Sequence, residues 1–215
     1  MHRLRVKFRR GEEVKFISHL DIMRLWQRAL HRAAIPLAYS KGFSPHPQIS
    51  LAAPLAVGIT SEAELMDILF TKLVAPHWFT SAVSRQLPPG TEIIQVSLIA
   101  LEQPSLQAQV RFAEYRVEVE TEKERKDAEA AIERLLTLKQ LPWQHQRDTG
   151  PHKYDLRALV EDIWLIDWRP DCGILDMRLR CDSGGSGRPE QVAIALGFTG
   201  HPRSIHRTRL ILKTG

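Results

Sequence analysis

The stretch Tyr39-Ser40-Lys41-Gly42-Phe43-Ser44-Pro45-His46-Pro47-Gln48 is unlike the rest of this chain. It offers aromatic faces, a cation, hydroxyls, an imidazole and an amide within ten positions. Gly42 permits backbone conformations that a Cβ resists, and two prolines stiffen the setting of His46. Two chemistries suit these residue types. Tyr39, Phe43 and His46 can stack unpaired bases, while Lys41 meets phosphate and Gln48 hydrogen-bonds. Metal-free RNA cleavage instead needs a base on the 2′-OH, an acid at the leaving oxygen and a cation on the phosphate. His19 or His46, with Lys41 and Tyr39, would supply those groups, so His19 and His46 are the catalytic candidates. The same stretch also reads as a proline-punctuated turn whose aromatics cover the edge of a core.

A second set of cations lies in the first ten residues. Leu4, Val6 and Phe8 alternate with Arg3, Arg5, Lys7 and Arg9, the period-2 pattern of a strand with one apolar and one cationic face. If the apolar face meets helices, the four cations line an open sheet surface suited to a phosphate backbone. Alternatively they pair with acids of a second sheet, for which Glu118 and Glu120 would serve. Residues 1–60 hold ten Lys/Arg against three Asp/Glu, a formal charge of +7, which leaves −2 for residues 61–215. Basic character returns only at Arg203, Arg207, Arg209 and Lys213. This asymmetry points to a polyanion, with nucleic acid foremost.

The elements that position these residues follow from pattern. Ser18 and Asp21 form a capping-box pair, and Ile17 with Ile22 a hydrophobic staple. Ile22, Met23, Trp26, Ala29, Leu30 and Ala33 share one face of a helix; Arg24, Gln27, Arg28, His31 and Arg32 share the other. Pro36 ends it. Strands are predicted over Ile49–Ala53 and Glu62–Phe70, a helix from Pro76 to Leu87, and a strand at Ile94–Leu98. That order, β-α-β-β-α-β, is the ferredoxin-like arrangement, an α+β fold with an antiparallel sheet. Residues 103–112 read as a linker. A second β-α-β-β-α-β unit is expected over 113–215, so the fold class is tandem ferredoxin-like units. Its helix opens on a Thr121/Glu124 capping box, a turn covers Gln146–Pro151, strands are expected around Tyr154–Val160 and Ile163–Trp168, and the unit holds one strand candidate too many. Asp182–Gly187 reads as a flexible turn, and Pro189 opens a short helix closed by Gly197.

Phe16-Ile17-Ser18-His19-Leu20-Asp21, the Tyr39–Pro47 run and Pro54-Leu55-Ala56-Val57-Gly58 together resemble the radical-SAM-linked family of uncharacterised bacterial proteins. Lys153-Tyr154-Asp155-Leu156-Arg157 and His206-Arg207-Thr208 resemble its downstream markers. The resemblance implies a radical-SAM protein as partner, since in that family the domain stands alone or is joined to the end of such a protein. Lys153, Arg157 and Arg207, the cations within these markers, join the RNA-binding candidates.

Several classes are excluded. Cys172 and Cys181 are the only cysteines, so the chain lacks the three-cysteine cluster motif of a radical-SAM enzyme. Gly184–Gly187 has neither Walker nor GxGxxG spacing, and no histidine pair has helical metal-ligand spacing. No local motif ties Ser18, Ser44 or Ser50 to a base. No cofactor is implied. Without an apolar run of membrane length or a signal-peptide pattern, a cytoplasmic protein is expected. The reading is an RNA-binding accessory domain without catalytic activity of its own, presenting RNA, such as tRNA, to a radical-SAM enzyme. A metal-free endonuclease and a protein-docking module that touches no RNA are the alternatives.

Overall fold

The structure, a computed structural model, describes residues 1–147 and 150–213, with the backbone alone at 146 and 147. The middle of the turn expected over Gln146–Pro151 therefore lies outside the described residues. Two compact units divide the chain: Met1–Val110 with the last residues from Leu212, and Arg111–Ile211. Both mix helices with antiparallel pairing.

In the first unit the alternation of Leu4, Val6 and Phe8 builds β1 (His2–Arg10), with all three fully buried. Helix α1 (His19–Arg32) starts where Ser18 Oγ accepts from the Asp21 N–H at 3.2 Å. The Asp21 carboxylate accepts from the same hydroxyl at 2.7 Å. Ile17 packs on the cluster that contains Ile22, as the staple requires. At the far end Ala34 takes a left-handed φ of +52°, and Ile35 N–H donates to Leu30 O at 3.1 Å. Then follow β2 (Ile49–Leu51), β3 (Thr60–Phe70), α2 (Pro76–Ser84) and β4 (Thr91–Ile99). The sheet order is β2-β3-β1-β4, every neighbour antiparallel. Met66, Ile68 and Phe70 of β3 join β1 beneath Trp26, Leu30, Phe79 and Val83. Phe8 meets Trp26 edge-on at 4.9 Å, and Phe70 meets Phe79 at 6.0 Å. Residues 103–112 are not a plain connector. Ser105 caps a helical turn, α3 (Leu106–Gln109), and Gln107 Nε2 donates to Leu51 O at 2.8 Å.

The second unit comprises β5 (Val110–Glu120), α4 (Arg125–Thr137), β6 (Pro142–Arg147), β7 (Gly150–Asp155), β8 (Val160–Arg169), β9 (Cys172–Asp182), β10 (Gly185–Ser186), α5 (Pro189–Ala195) and β11 (Ser204–Leu212). Strand β9 pairs β5 on one side and β8 with β10 on the other, and β11 lies beside β5. Strands β6 and β7 form a separate two-stranded hairpin between α4 and β8, and the strand expected around Tyr154–Val160 is corrected: β7 ends at Asp155, Arg157–Leu159 makes a 3-10 turn, and β8 begins at Val160. Tyr115, Val117 and Val119 pack among Leu175, Met177 and Leu179, with Ala128, Ala131, Ile132 and Leu135 of α4 also buried. The expected Thr121 cap is displaced. Helix α4 begins after Glu124, and Thr121 Oγ1 accepts from the Lys123 N–H instead, a local turn that competes with helix entry. No helix among the described residues is long and apolar enough to cross a membrane.

Candidate nucleic-acid interface

The strand-one cations are largely spent on the fold. Arg3 is 7% exposed, and its guanidinium donates to the carbonyls of Ala100, Gln103 and Pro104. Arg5 grips Asp67 with two bonds of 2.8 and 3.0 Å, and the Asp67 side chain is only 2% exposed. The register explains this: Arg5 lies opposite Asp67 across β1 and β3, on one face of the pair. Arg9, opposite Glu92 on β4, sits 3.7 Å from its carboxylate in solvent. Lys7 is half-buried. For Arg3 and Arg5 the expectation of cations on an open sheet face is therefore corrected: their guanidiniums are taken up by carbonyls and by Asp67 of the same sheet, while Arg9 stays in solvent. Glu118 and Glu120 instead face Arg203, at 4.0 and 3.1 Å.

The Tyr39–Gln48 loop is a closed, hairpin-like excursion. Gln48 N–H donates to Ala38 O at 2.9 Å, Ser40 N–H to His46 O at 2.9 Å, and Tyr39 bridges Pro47. Ser40 Oγ accepts from His46 N–H at 3.1 Å and lies 3.0 Å from His46 Nδ1. Gly42 turns the tip with φ +129°, which places Phe43 wholly in solvent. Tyr39 is half exposed at the base, and Lys41 and His46 are also exposed. Gln48 has its Oε1 buried without a partner among the described residues. The aromatics do not cover a core edge. The base of the loop is closed by hydrogen bonds, and its tip presents one exposed ring.

Beside this loop the polar face of α1 forms a shallow cleft of about 380 Å³. Arg24, Arg28, His31 and Arg32 line it, with Tyr39 and Pro47 closing one side. All four basic residues are exposed. Asp21 holds Arg24 at 3.1 Å, and Arg32 donates to Gln86 O at 2.6 Å. Arg28 and His31 make no ion pair or hydrogen bond among the described residues. The Ser18 hydroxyl, then the Arg24 guanidinium, hold the Asp21 carboxyl below the usual carboxylate range. Sequence pattern placed these arginines on one helical face without assigning them a use. Their four-residue spacing was the available signal, and only tertiary structure sets Tyr39 against it.

The remaining candidates divide. Lys153 is exposed on β7. Arg157 is tied to Leu136 O at 2.9 Å and Val160 O at 2.5 Å, closing the end of α4 against β8. Arg207 is 1% exposed, donates to Tyr115 Oη at 3.2 Å and lies over that ring. Both arginines hold the fold together, and the burial of Arg207 corrects its place among RNA contacts. The reason is that a guanidinium can satisfy several buried acceptors at once. His19 is half-buried in the first turn of α1. His46 finds its ring partners in Ser40 and the Ser44 carbonyl, at 3.0 and 3.4 Å. Among the described residues, neither His19, Lys41 nor Tyr39 bonds to it, and no carboxylate orients it. The Ser40–His46 contact closes a turn.

The fold resembles solved structures at low identity. One is "Crystal Structure of a Cbf5-Nop10-Gar1 Complex", with TM-score 0.53 and 10% identity, covering 96% of this chain and 48% of that one. Another is "Structure of H/ACA RNP bound to a substrate RNA containing 2'-deoxyuridine", with TM-score 0.50 and 10% identity, covering 96% and 47%. The chain spans about half the length of these structures, and the likeness is one of fold alone. No curated protein matches the sequence. A family profile matches residues 3–189, well over half of the sequence, and the chain belongs to that family: uncharacterized protein conserved in bacteria (DUF2344).

Proposed function

We propose that this chain is an RNA-binding accessory domain, presenting a structured RNA such as tRNA to a radical-SAM enzyme in the cytoplasm. The observation that carries the RNA reading is the cleft on α1. Arg24, Arg28 and Arg32 form a row with His31 beside exposed Tyr39, and the same loop carries the exposed Phe43 ring at its tip. Cations spaced along a helix suit successive phosphates, and the two rings suit unpaired bases. The fold likeness to an RNP structure is consistent with this role. The radical-SAM partner rests on the sequence markers at Phe16–Asp21, Tyr39–Pro47 and Pro54–Gly58. We read each unit as ferredoxin-like, because the strand order β2-β3-β1-β4 recurs as β8-β9-β5-β11.

Fluorescence anisotropy with labelled single-stranded and tRNA-like RNAs tests the reading. Tyr39→Ala and Phe43→Ala should each weaken binding by about 1–3 kcal/mol, the worth of a base–aromatic stack. Gels run on the same mixtures without metal should show intact RNA. Wild-type scission that His46→Ala abolishes at unchanged affinity would establish the endonuclease instead. Exposed Phe16 and Leu20 at the start of α1 favour the docking module as the second reading. Absence of RNA binding with retained capture of the radical-SAM protein, lost in Phe16→Ser, would select it.

A further inference from the structure

The hairpin of β6 and β7 concentrates aromatic side chains on one face. Trp143 lies opposite Tyr154, and His145 opposite His152. Cross-strand partners share a face, as do residues two apart along a strand. The four are half-buried, whereas Pro142, Gln144, Pro151 and Lys153 of the other face are exposed. Trp143 Nε1 donates to Gln191 Oε1 of α5 at 2.6 Å, which anchors the hairpin. The His152 and Tyr154 rings stack with centroids 5.4 Å apart and planes 24° apart, and His145 stands edge-on to both. These three rings line a pocket of about 280 Å³ whose other walls include Arg180, Ser186 and Arg188.

The Gly184–Ser186 turn forms one wall of this pocket. Asp182 Oδ1 accepts from Arg180 Nε at 2.9 Å and from Gly184 N–H at 2.7 Å. A Cβ on Gly184 would sit 2.3 Å from the Arg180 guanidinium, and one on Gly185 2.6 Å from Leu159. Both atoms end flexible side chains that can move aside, so the firm requirement for glycine is at Gly185, whose φ of +154° an L side chain rarely adopts. Asp155, which also lines the pocket, spends Oδ1 on the N–H groups of Leu141 and Arg157.

We infer that this pocket binds one unpaired nucleotide. The His152 and Tyr154 rings offer a stacking surface to the base, Ser186 and Arg180 offer hydrogen-bonding groups, and the exposed Arg188 guanidinium meets the phosphate. Base stacking on aromatic rings with arginine at the phosphate is the general chemistry of single-strand recognition. The volume lies just below the range that encloses drug-sized ligands, which fits one nucleotide and not a longer segment. A free mononucleotide and an unpaired residue of an RNA share this chemistry. The pocket lies wholly within Arg111–Ile211, and its ligand is recognised without the α1 cleft.

Calorimetric titration of the full chain with AMP, GMP, CMP and UMP is the test, with the nucleosides and inorganic phosphate as controls. Saturable binding of at least one monophosphate is expected. Tyr154→Leu should weaken it by roughly tenfold or more, the scale of a lost stack, while Tyr154→Phe retains it. Arg188→Gln, at an exposed position, should weaken the monophosphate and leave the nucleoside unchanged. A 5′-blocked pentanucleotide separates the two sources: competition with the monophosphate assigns the pocket to RNA, and no competition assigns it to a free nucleotide. Arg28→Gln should leave mononucleotide binding intact, so failure of the α1 interface and failure of this pocket are told apart. The inference is overturned by no saturable binding at millimolar monophosphate. It is equally overturned by phosphate alone binding as tightly, or by Arg188→Gln and a folded Tyr154→Leu both binding like wild type.

Discussion

Two arginine substitutions on neighbouring elements should behave in opposite ways. Arg28→Gln removes a cation that has no partner among the described residues from the centre of the α1 cleft. Three arginines in a row, each neutralising one phosphate, give a log–log salt slope of about −2.1 on single-stranded RNA, at about −0.7 per phosphate. Raising salt from 50 to 200 mM should then cost the wild type about twenty-fold in affinity, and Arg28→Gln, at a slope of about −1.4, about seven-fold. Stability should be unchanged, since the side chain is exposed. Arg5→Gln does the reverse. It leaves Asp67 buried, with Arg3 its one remaining cation within 4 Å among the described residues, at 3.9 Å, so the salt slope holds while the unit loses stability. Anisotropy titrations at four salt concentrations, paired with urea unfolding, read both quantities. A wild-type slope retained by Arg28→Gln would refute the assignment of the cleft. A slope flattened by Arg5→Gln at full stability would return the phosphate contacts to β1.

Arg5→Ala should cost about 3 kcal/mol in urea unfolding, the lower part of the range for breaking a buried ion pair because Arg3 stays close, and Arg5→Met with Asp67→Leu should recover most of it. A loss below about 1 kcal/mol would mean Asp67 is better solvated than its burial indicates. Ser18→Ala should cost about 1 kcal/mol through the lost cap, and should also raise the Asp21 titration midpoint seen by NMR. Because the folded Asp21 carboxyl titrates below its ordinary value of 3.8, its contribution is present above that value and fades as pH falls through the folded midpoint; an Asp21 midpoint at or above 3.8 would contradict the pairing. Ala34→Gly should stabilise the chain by up to about 1 kcal/mol, because Ala34 holds a left-handed φ at the end of α1. Burial, then the Glu118 carboxylate, push the Cys172 thiol up, so alkylation at pH 8 followed by mass spectrometry should label it far more slowly than a free thiol.

Local pattern was sufficient for the elements of the first unit. Alternation at Leu4, Val6 and Phe8, the Ser18 cap and the Pro76 helix start all depend on neighbours within a few residues, and each is found where its spacing places it. Pattern was weaker where local options compete. Thr121 satisfies its own turn instead of the helix start, and a short hairpin reads like one strand of a regular unit. The Tyr39–Gln48 loop was legible as an unusual presentation because Pro45 and Pro47 constrain the backbone while Gly42 permits a turn that other residues resist.

What sequence alone could not decide was the use of each charge. Arg5 and Arg28 are identical in type, and both stand on the polar side of an amphipathic element. Cross-strand register sets Arg5 against Asp67 and removes it from solvent, while the α1 face keeps Arg28 in water beside a loop eleven positions further on. Sequence determined which residues turn away from the core, since periodicity follows from backbone geometry. Only the tertiary structure decided which of those cations remain available, because pairing depends on which segments lie opposite one another, and that is set by long-range contacts no local spacing encodes.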